Sequence, residues 1–124
     1  MVHSGLIEID NTLSRPSFFA FLSALPLDEM LGFRDAFLFD SRWVEEFNKL
    51  INISVDDENI KFINELREKS FKYAFRATAN GEISGLISDD IELIGRNIVV
   101  GNRSAWPETC LWFTYLRGEF PYLV

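Results

Sequence analysis

Residues 56–81 read DDENIKFINELREKSFKYAFRATANG, and this stretch predicts the clearest helix of the chain. The acidic run Asp56-Asp57-Glu58 comes first, where the aligned peptide dipoles of a helix favour negative charge. Apolar residues then recur at helical spacing and form one stripe. They are Ile60, Ile63, Leu66, Phe71, Ala74 and Phe75. Gly81 is the predicted end of this helix.

The charged residues of the same stretch follow the order that stabilises a helix. Glu65 precedes Lys69 by four residues, and Glu68 precedes Lys72 in the same way, so each pair lies on one side of the helix. Lys69, Lys72 and Arg76 collect toward the carboxyl end, where the dipole favours positive charge. We therefore interpret these cations as part of the helix and not as a phosphate-binding or nucleic-acid-binding patch.

Two further helices are predicted from candidate N-caps. Ser41 precedes an apolar face formed by Trp43, Val44, Phe47, Leu50 and Ile51. Ser88 precedes Asp89 and Asp90, and isoleucine recurs at positions 87, 91, 94 and 98 before a predicted end at Gly101. The β-branched residues of this second segment favour a strand, but their spacing favours a helix.

The two ends of the chain are less regular. Residues 14–26 predict a short helix between Pro16 and Pro26, and Asp28 begins another turn or two. Residues 6–9, Leu-Ile-Glu-Ile, alternate as in a short strand or hairpin. For residues 105–117 we favour a buried helix that begins near Pro107 and ends at Gly118, although strand formers from Cys110 to Tyr115 leave a strand open. The predicted fold is mainly α, one compact domain over residues 1–124 with about five helices.

Composition is consistent with a cytoplasmic domain that folds without cross-links. The chain has 124 residues, 48% of them hydrophobic, which provides enough apolar area for one core. Its single cysteine, Cys110, lies in an apolar run and cannot form an internal disulfide. The first residues lack the pattern of a secretion signal, and no apolar run is long enough to cross a bilayer. We expect a protein of the reducing cytoplasm.

Residue types argue against an enzyme, a metal site or a cofactor. The only histidine is His3, near the amino terminus, so a nucleophile–histidine–acid triad is not expected. One histidine and one cysteine cannot supply four zinc ligands, and neither acidic run has the ligand rhythm of a calcium-binding loop. Residues 81–85 lack the spacing of a phosphate-binding loop. We expect no catalysis, no metal and no cofactor.

The net charge of −7 indicates a positively charged partner. Residues 28–68 hold eleven acids and five bases, and residues 82–92 hold four acids and no base. Such a surface repels nucleic acid and anionic lipid and attracts a basic protein. If the helices predicted near Asp56 and Ser88 begin on the same side of the molecule, their acids form one negative patch.

Candidate partner-binding residues combine these acids with exposed aromatic rings. Large amphipathic rings provide much of the binding energy at protein interfaces, and acids at the rim accelerate association. The candidates are Asp56, Asp57, Glu58, Asp89, Asp90, Glu92, Trp106, Glu108 and Tyr122. Trp106 and Tyr122 are expected to be exposed, whereas Trp43 and Trp112 fit the core.

A small acidic domain with many aromatic residues, no enzyme motif and acid clusters at residues 56–58 and 89–92 resembles the immunity proteins that bacteria make against their own nuclease toxins. These include the immunity proteins of contact-dependent inhibition systems. The resemblance implies a stoichiometric inhibitor whose carboxylates pair with the arginines and lysines that a nuclease uses to hold nucleic acid. The alternative is a small adaptor or homo-oligomeric assembly protein that uses an apolar face within residues 106–122.

Overall fold

The computed structural model describes residues 1–123, and these residues form six α-helices with two irregular helical turns. The helices are α1 (Ser4–Leu13), α2 (Leu27–Arg34), α3 (Phe37–Ile51), α4 (Asp57–Thr78), α5 (Gly81–Val100) and α6 (Phe113–Leu116). A 3-10 turn, Ala20–Ala24, precedes α2, and a π-helical turn, Pro107–Trp112, continues directly into α6. The mainly α prediction is confirmed, and residues 1–123 contain no strand.

Helices α4 and α5 form an antiparallel hairpin around which the other elements pack. Ala79 turns the chain with a left-handed φ of 51°, and the Asn80 side chain then accepts a hydrogen bond of 3.0 Å from the backbone N–H of Ile83. This side-chain cap begins α5 at Gly81, because it satisfies a backbone donor that has no partner inside the helix. Gly81 is therefore the start of α5 and not the end of α4, and the predicted N-cap at Ser88 is wrong. The predicted end at Gly101, with φ 81°, is confirmed.

Helix α5 is the centre of the fold. It packs against α1, α2, α3, α4 and the π-helical turn. The isoleucines at 87, 91, 94 and 98 are all buried, so their predicted helical spacing is confirmed. A helix covered on so many sides has few positions for solvated polar groups, and those that it does carry inward need partners.

Residues 6–9 belong to helix α1, so the predicted N-terminal strand is wrong. Leu6, Ile9 and Leu13 are buried on one side, at the spacing of successive helical turns. His3 caps the helix, since its Nδ1 accepts a hydrogen bond from the Gly5 N–H at 3.0 Å. Four residues are too few to distinguish a period of two from one of 3.6, and the buried residue at 13 decides between them.

The close approach of α1 to α5 depends on Gly5. A methyl group built on Gly5 would lie 2.5 Å from Cγ2 of Ile98 and 3.1 Å from Nδ1 of His3. We expect Gly5→Ala to lower the free energy of unfolding by about 1–3 kcal/mol, because the β-branched Ile98 cannot rotate away. Gly32→Ala in α2, where nothing lies within 4 Å, should instead raise it by up to about 1 kcal/mol. Urea unfolding followed by circular dichroism compares the two, and equal effects would contradict this packing.

The remaining boundaries differ from the sequence prediction in smaller ways. Helix α3 begins at Phe37, after the extended backbone of Ala36, so Ser41 is an interior residue and not an N-cap. The short helix predicted in residues 14–26 is only the 3-10 turn, since Leu25 must be extended before Pro26. The C-terminal segment is helical, as favoured, although its first turn is a π-helix.

Candidate functional site

A buried carboxylate, Asp90, joins α5 to three other parts of the fold. Its two oxygens accept hydrogen bonds from Nη1 and Nη2 of Arg34 at 2.9 and 2.7 Å, which is the bidentate geometry of a strong ion pair. Nε1 of Trp43 donates to it at 2.9 Å, and the hydroxyl of Tyr115 donates at 2.6 Å. The Asp90 side chain is completely buried, so only groups of this chain contact it. We call Asp90 with Arg34, Trp43 and Tyr115 the buried centre.

Aromatic rings enclose the Arg34 guanidinium. The ring centres of Phe39 and Phe120 lie 4.7 and 5.2 Å from its central carbon, at distances where a cation is attracted to an aromatic face. Burial alone lowers the pKa of Arg34, but Asp90 and Tyr115 outweigh it and the net pKa is raised. Burial, and next the Asp90 charge, raise the pKa of Tyr115 well above its usual value. The centre therefore fixes α2, α3 and the C-terminal segment against α5.

The neighbouring carboxylates of α5 pair with α4. Arg67 contacts Asp89 and Glu92 at 2.8 Å each, and Glu92 also binds Arg96 at 2.9 Å. Asp89 is half exposed, and its pKa is raised by burial and by the nearby charges of Asp90 and Glu92, although Arg67 opposes this. Of the predicted cluster in residues 89–92, only Asp89 thus offers a well-exposed carboxylate.

The two predicted acidic clusters do not form one patch. Arg67 of α4 lies opposite Asp89, and Asp57 lies ten residues earlier on α4, which is about 15 Å further along the hairpin. Glu58 pairs with the amino group of Met1, and Asp56 accepts a hydrogen bond from Asn59. The hypothesis of a joint patch required both helices to begin at the same end, and the antiparallel hairpin excludes that.

Two of the predicted partner-binding residues, Trp106 and Glu108, are not at the surface. Trp106, expected to be exposed, is buried with its ring centre 5.5 Å from that of Phe39, so that expectation is wrong. Glu108 is buried as well, where it accepts from the Ser104 N–H at 2.8 Å and pairs with Arg103 at 3.0 Å. The expectation that Trp112 is a core residue is confirmed.

Tyr122 is half buried and stacks on Phe33, with ring centres 4.8 Å apart. It borders a partly open cavity of about 380 Å³ between the start of α2 and the C-terminal segment. The two charged residues on this cavity, Arg117 and Glu119, pair with each other at 3.6 Å. Most large apolar side chains of residues 106–122 are buried in the core, which removes most of the apolar face that the adaptor alternative needs.

A different surface combines exposed apolar side chains with free carboxylates, and we call it the α3 face. Phe37 and Leu38 are 80% and 72% exposed, and Val44 is 45% exposed on the same helix. Asp40 and Val44 line a cavity of about 190 Å³ together with Asp35 and Asp89. The α3 face consists of Asp35, Phe37, Asp40, Val44 and Asp89.

Sequence reasoning missed the α3 face because it placed the helix start at Ser41. A usable signal is the run Phe37-Leu38-Phe39 between Asp35 and Asp40. Successive residues of a helix point about 100° apart, so three consecutive large apolar side chains cannot all face the core. Phe39 is buried, and Phe37 and Leu38 are exposed.

A family model described as Immunity protein PIM1 matches residues 8–122. The chain belongs to the Immunity protein PIM1 family. The match covers α2 to α6 completely and the second half of α1, from residue 8 onward. No curated protein matches the chain.

Membership of the Immunity protein PIM1 family establishes a toxin-neutralising role, and with it a toxin as the partner. The resemblance to bacterial immunity proteins is thereby confirmed. Immunity proteins generally act without catalysis. No helix within residues 1–123 has both the length and the apolar character needed to cross a membrane. Across the same residues, histidine, cysteine and carboxylate side chains form no group of three that could hold a metal ion.

Proposed function

We propose that this chain neutralises a nuclease toxin by binding its cationic surface in the cytoplasm. The observation that supports this is the balance of free charge among residues 1–123. Nine exposed carboxylates make no ion pair, against three such cations, Arg15, Lys61 and Arg76. The nine are Glu8, Asp28, Glu29, Asp35, Asp40, Asp56, Asp57, Glu65 and Glu82.

A nuclease presents arginines and lysines to the phosphates of its substrate, and carboxylates can occupy those cations instead. Opposite net charges accelerate encounter between the two proteins. Desolvated carboxylate–guanidinium pairs and a few buried apolar side chains then slow dissociation. Inhibition by this route is stoichiometric and requires neither catalysis nor a cofactor. Delivery of the toxin by cell contact is part of the same proposal.

Co-expression tests the proposal. A toxin domain encoded beside the gene for this chain should arrest a bacterial host and degrade its DNA or RNA, and co-expression of the chain should restore both growth and intact nucleic acid. With purified proteins, the association rate should fall at least tenfold between about 50 and 500 mM salt, because salt screens attraction between exposed charges.

Two results would count against separate parts of this proposal. Arrest without damage to nucleic acid, still relieved by the chain, would retain the immunity role and exclude a nuclease. An association rate that is independent of salt would exclude electrostatic attraction as the basis of recognition.

A further inference from the structure

We propose that the α3 face is the surface that contacts the toxin, and that its cavity receives an arginine or lysine of a cationic segment. This inference rests on the proposed function and specifies where on the chain it takes place. It replaces the sequence-based candidates Trp106, Glu108 and Asp90, whose side chains are buried.

The apolar part of the α3 face has no partner within the chain. Phe37 is the most exposed large apolar side chain of any helix in residues 1–123. Phe37, Asp40 and Val44 are three and four residues apart, so they follow one stripe of α3. Exposed aromatic and aliphatic side chains grouped in this way are typical of interface centres, where a few buried residues dominate the binding energy.

The charge of the α3 face selects a cationic occupant. Asp35 and Asp40 are exposed and make no ion pair with any described residue, and Asp89 adds a third carboxylate beside them. Two guanidinium groups lie nearby: Arg67 is paired with Asp89 and Glu92, and Arg34, which lines the cavity, is neutralised by Asp90. A cation that arrives here meets carboxylates that can accept charge-assisted hydrogen bonds. Nucleic acid would be repelled.

The shape of the α3 face fits a side chain better than a small molecule. Trp43 and Phe39 line its cavity of about 190 Å³. Three carboxylates line it as well, from Asp35 at the α2–α3 connection, Asp40 of α3 and Asp89 of α5. Pockets for small ligands are usually about 300–1,000 Å³. The half-buried indole of Trp43 and the carboxylates together suit the head group of one arginine or lysine.

The buried centre supports the cavity of the α3 face from beneath. Arg34 and Trp43 line the cavity and both donate to Asp90, so the buried centre holds α2 and α3 in one arrangement. A surface that is fixed before binding loses less conformational entropy when the partner arrives. A second copy of this chain is a poor occupant, since a twofold contact through the same face would place its carboxylates against each other.

Two variants of the α3 face and two matched controls test this inference. Phe37→Ser removes the apolar anchor, and Asp35→Lys with Asp40→Lys reverses the free charge. Leu116→Ser is the apolar control on α6, and Asp57→Lys with Glu65→Lys changes the net charge equally on α4. All these positions are exposed, so thermal unfolding should show folded proteins. The probe is the toxin domain against which the wild-type chain protects.

We expect Phe37→Ser to weaken binding to that toxin domain roughly 30-fold, mainly through faster dissociation. The double charge reversal should weaken it about 100-fold, with part of the loss in the association rate. The two controls should change affinity by less than about threefold. Surface plasmon resonance provides both rates.

The possible outcomes separate the two proposals. If wild type binds the toxin and the α3-face variants bind equally well, this location is wrong while the proposed function stands. If wild type does not bind, the proposed function fails and this inference fails with it. A wild-type dimer that Phe37→Ser dissociates, with toxin binding unchanged, would assign the α3 face to self-association and overturn the inference.

Discussion

Asp90→Ala is expected to lower the free energy of unfolding by about 3–5 kcal/mol, because it leaves the Arg34 guanidinium charged and buried without its partner. Trp43 and Tyr115 also lose the acceptor for their hydrogen bonds. Unsatisfied buried donors each add to the loss. Urea unfolding followed by circular dichroism measures the effect.

Two controls distinguish the effect of disrupting the buried centre from the effect of removing any carboxylate of α5. Asp89→Ala removes the adjacent, half-exposed acid and should cost less than about 1 kcal/mol, since exposed ion pairs contribute little. Arg34→Met combined with Asp90→Leu removes both charges and should cost less than the sum of the two single changes. Additive single changes would show that the pair does not act as a unit.

Leu66→Ala is expected to lower the free energy of unfolding by about 2–5 kcal/mol, because Leu66 is fully enclosed between α4 and its neighbours. Phe71→Ala should cost less, about 1–2 kcal/mol, although phenylalanine is larger, because part of its ring stays in water. Phe71 is 38% exposed, and its main ring contact is Phe75, 6.2 Å away and itself exposed. The sequence pattern assigned Leu66 and Phe71 to the same apolar stripe. Equal losses of stability would indicate that both side chains are buried to the same extent, and would contradict the structure.

The Asp90 and Leu66 predictions have different consequences for toxin binding. Leu66 lies on α4 and is not part of the α3 face, although its neighbour Arg67 pairs with Asp89, so Leu66→Ala should reduce stability with little change in affinity for the toxin domain at temperatures where the variant is folded. Asp90→Ala also loosens α2 and α3, and the toxin-binding affinity of its folded fraction should fall. This comparison shows whether the buried centre supports toxin binding at the α3 face as well as the stability of the fold.

Local patterns were sufficient where the chain is regular for many residues. The apolar and charged order of residues 56–78 predicted α4, and Lys72 does pair with Glu68 at 2.8 Å. Lys69, however, pairs with Asp10 and not with Glu65, because α1 packs beside it. Helical spacing thus predicts which residues share a side of one helix. It does not predict which neighbouring helix will supply a closer charge.

The ends of the helices and the type of the short elements depend on residues outside the short stretch of sequence from which each was predicted. The start of α5 is set by the Asn80 side chain and the left-handed Ala79, and the sequence suggested a stop there because Gly81 follows. Residues 6–9 became helical because Leu13, outside the alternating window, joins the same buried side.

The sequence by itself determined a mainly α fold, with α4 and the later part of α5, and a surplus of acid that suits a cationic partner, because periodicity and net charge are properties of the chain alone. Only the tertiary structure decided which carboxylates are available. It buried Asp90 and Glu108 against their own arginines and left Asp35 and Asp40 free beside Phe37. The physical reason is that a carboxylate's charge is effective at the surface only if no cation of the same chain reaches it, and packing sets that distance.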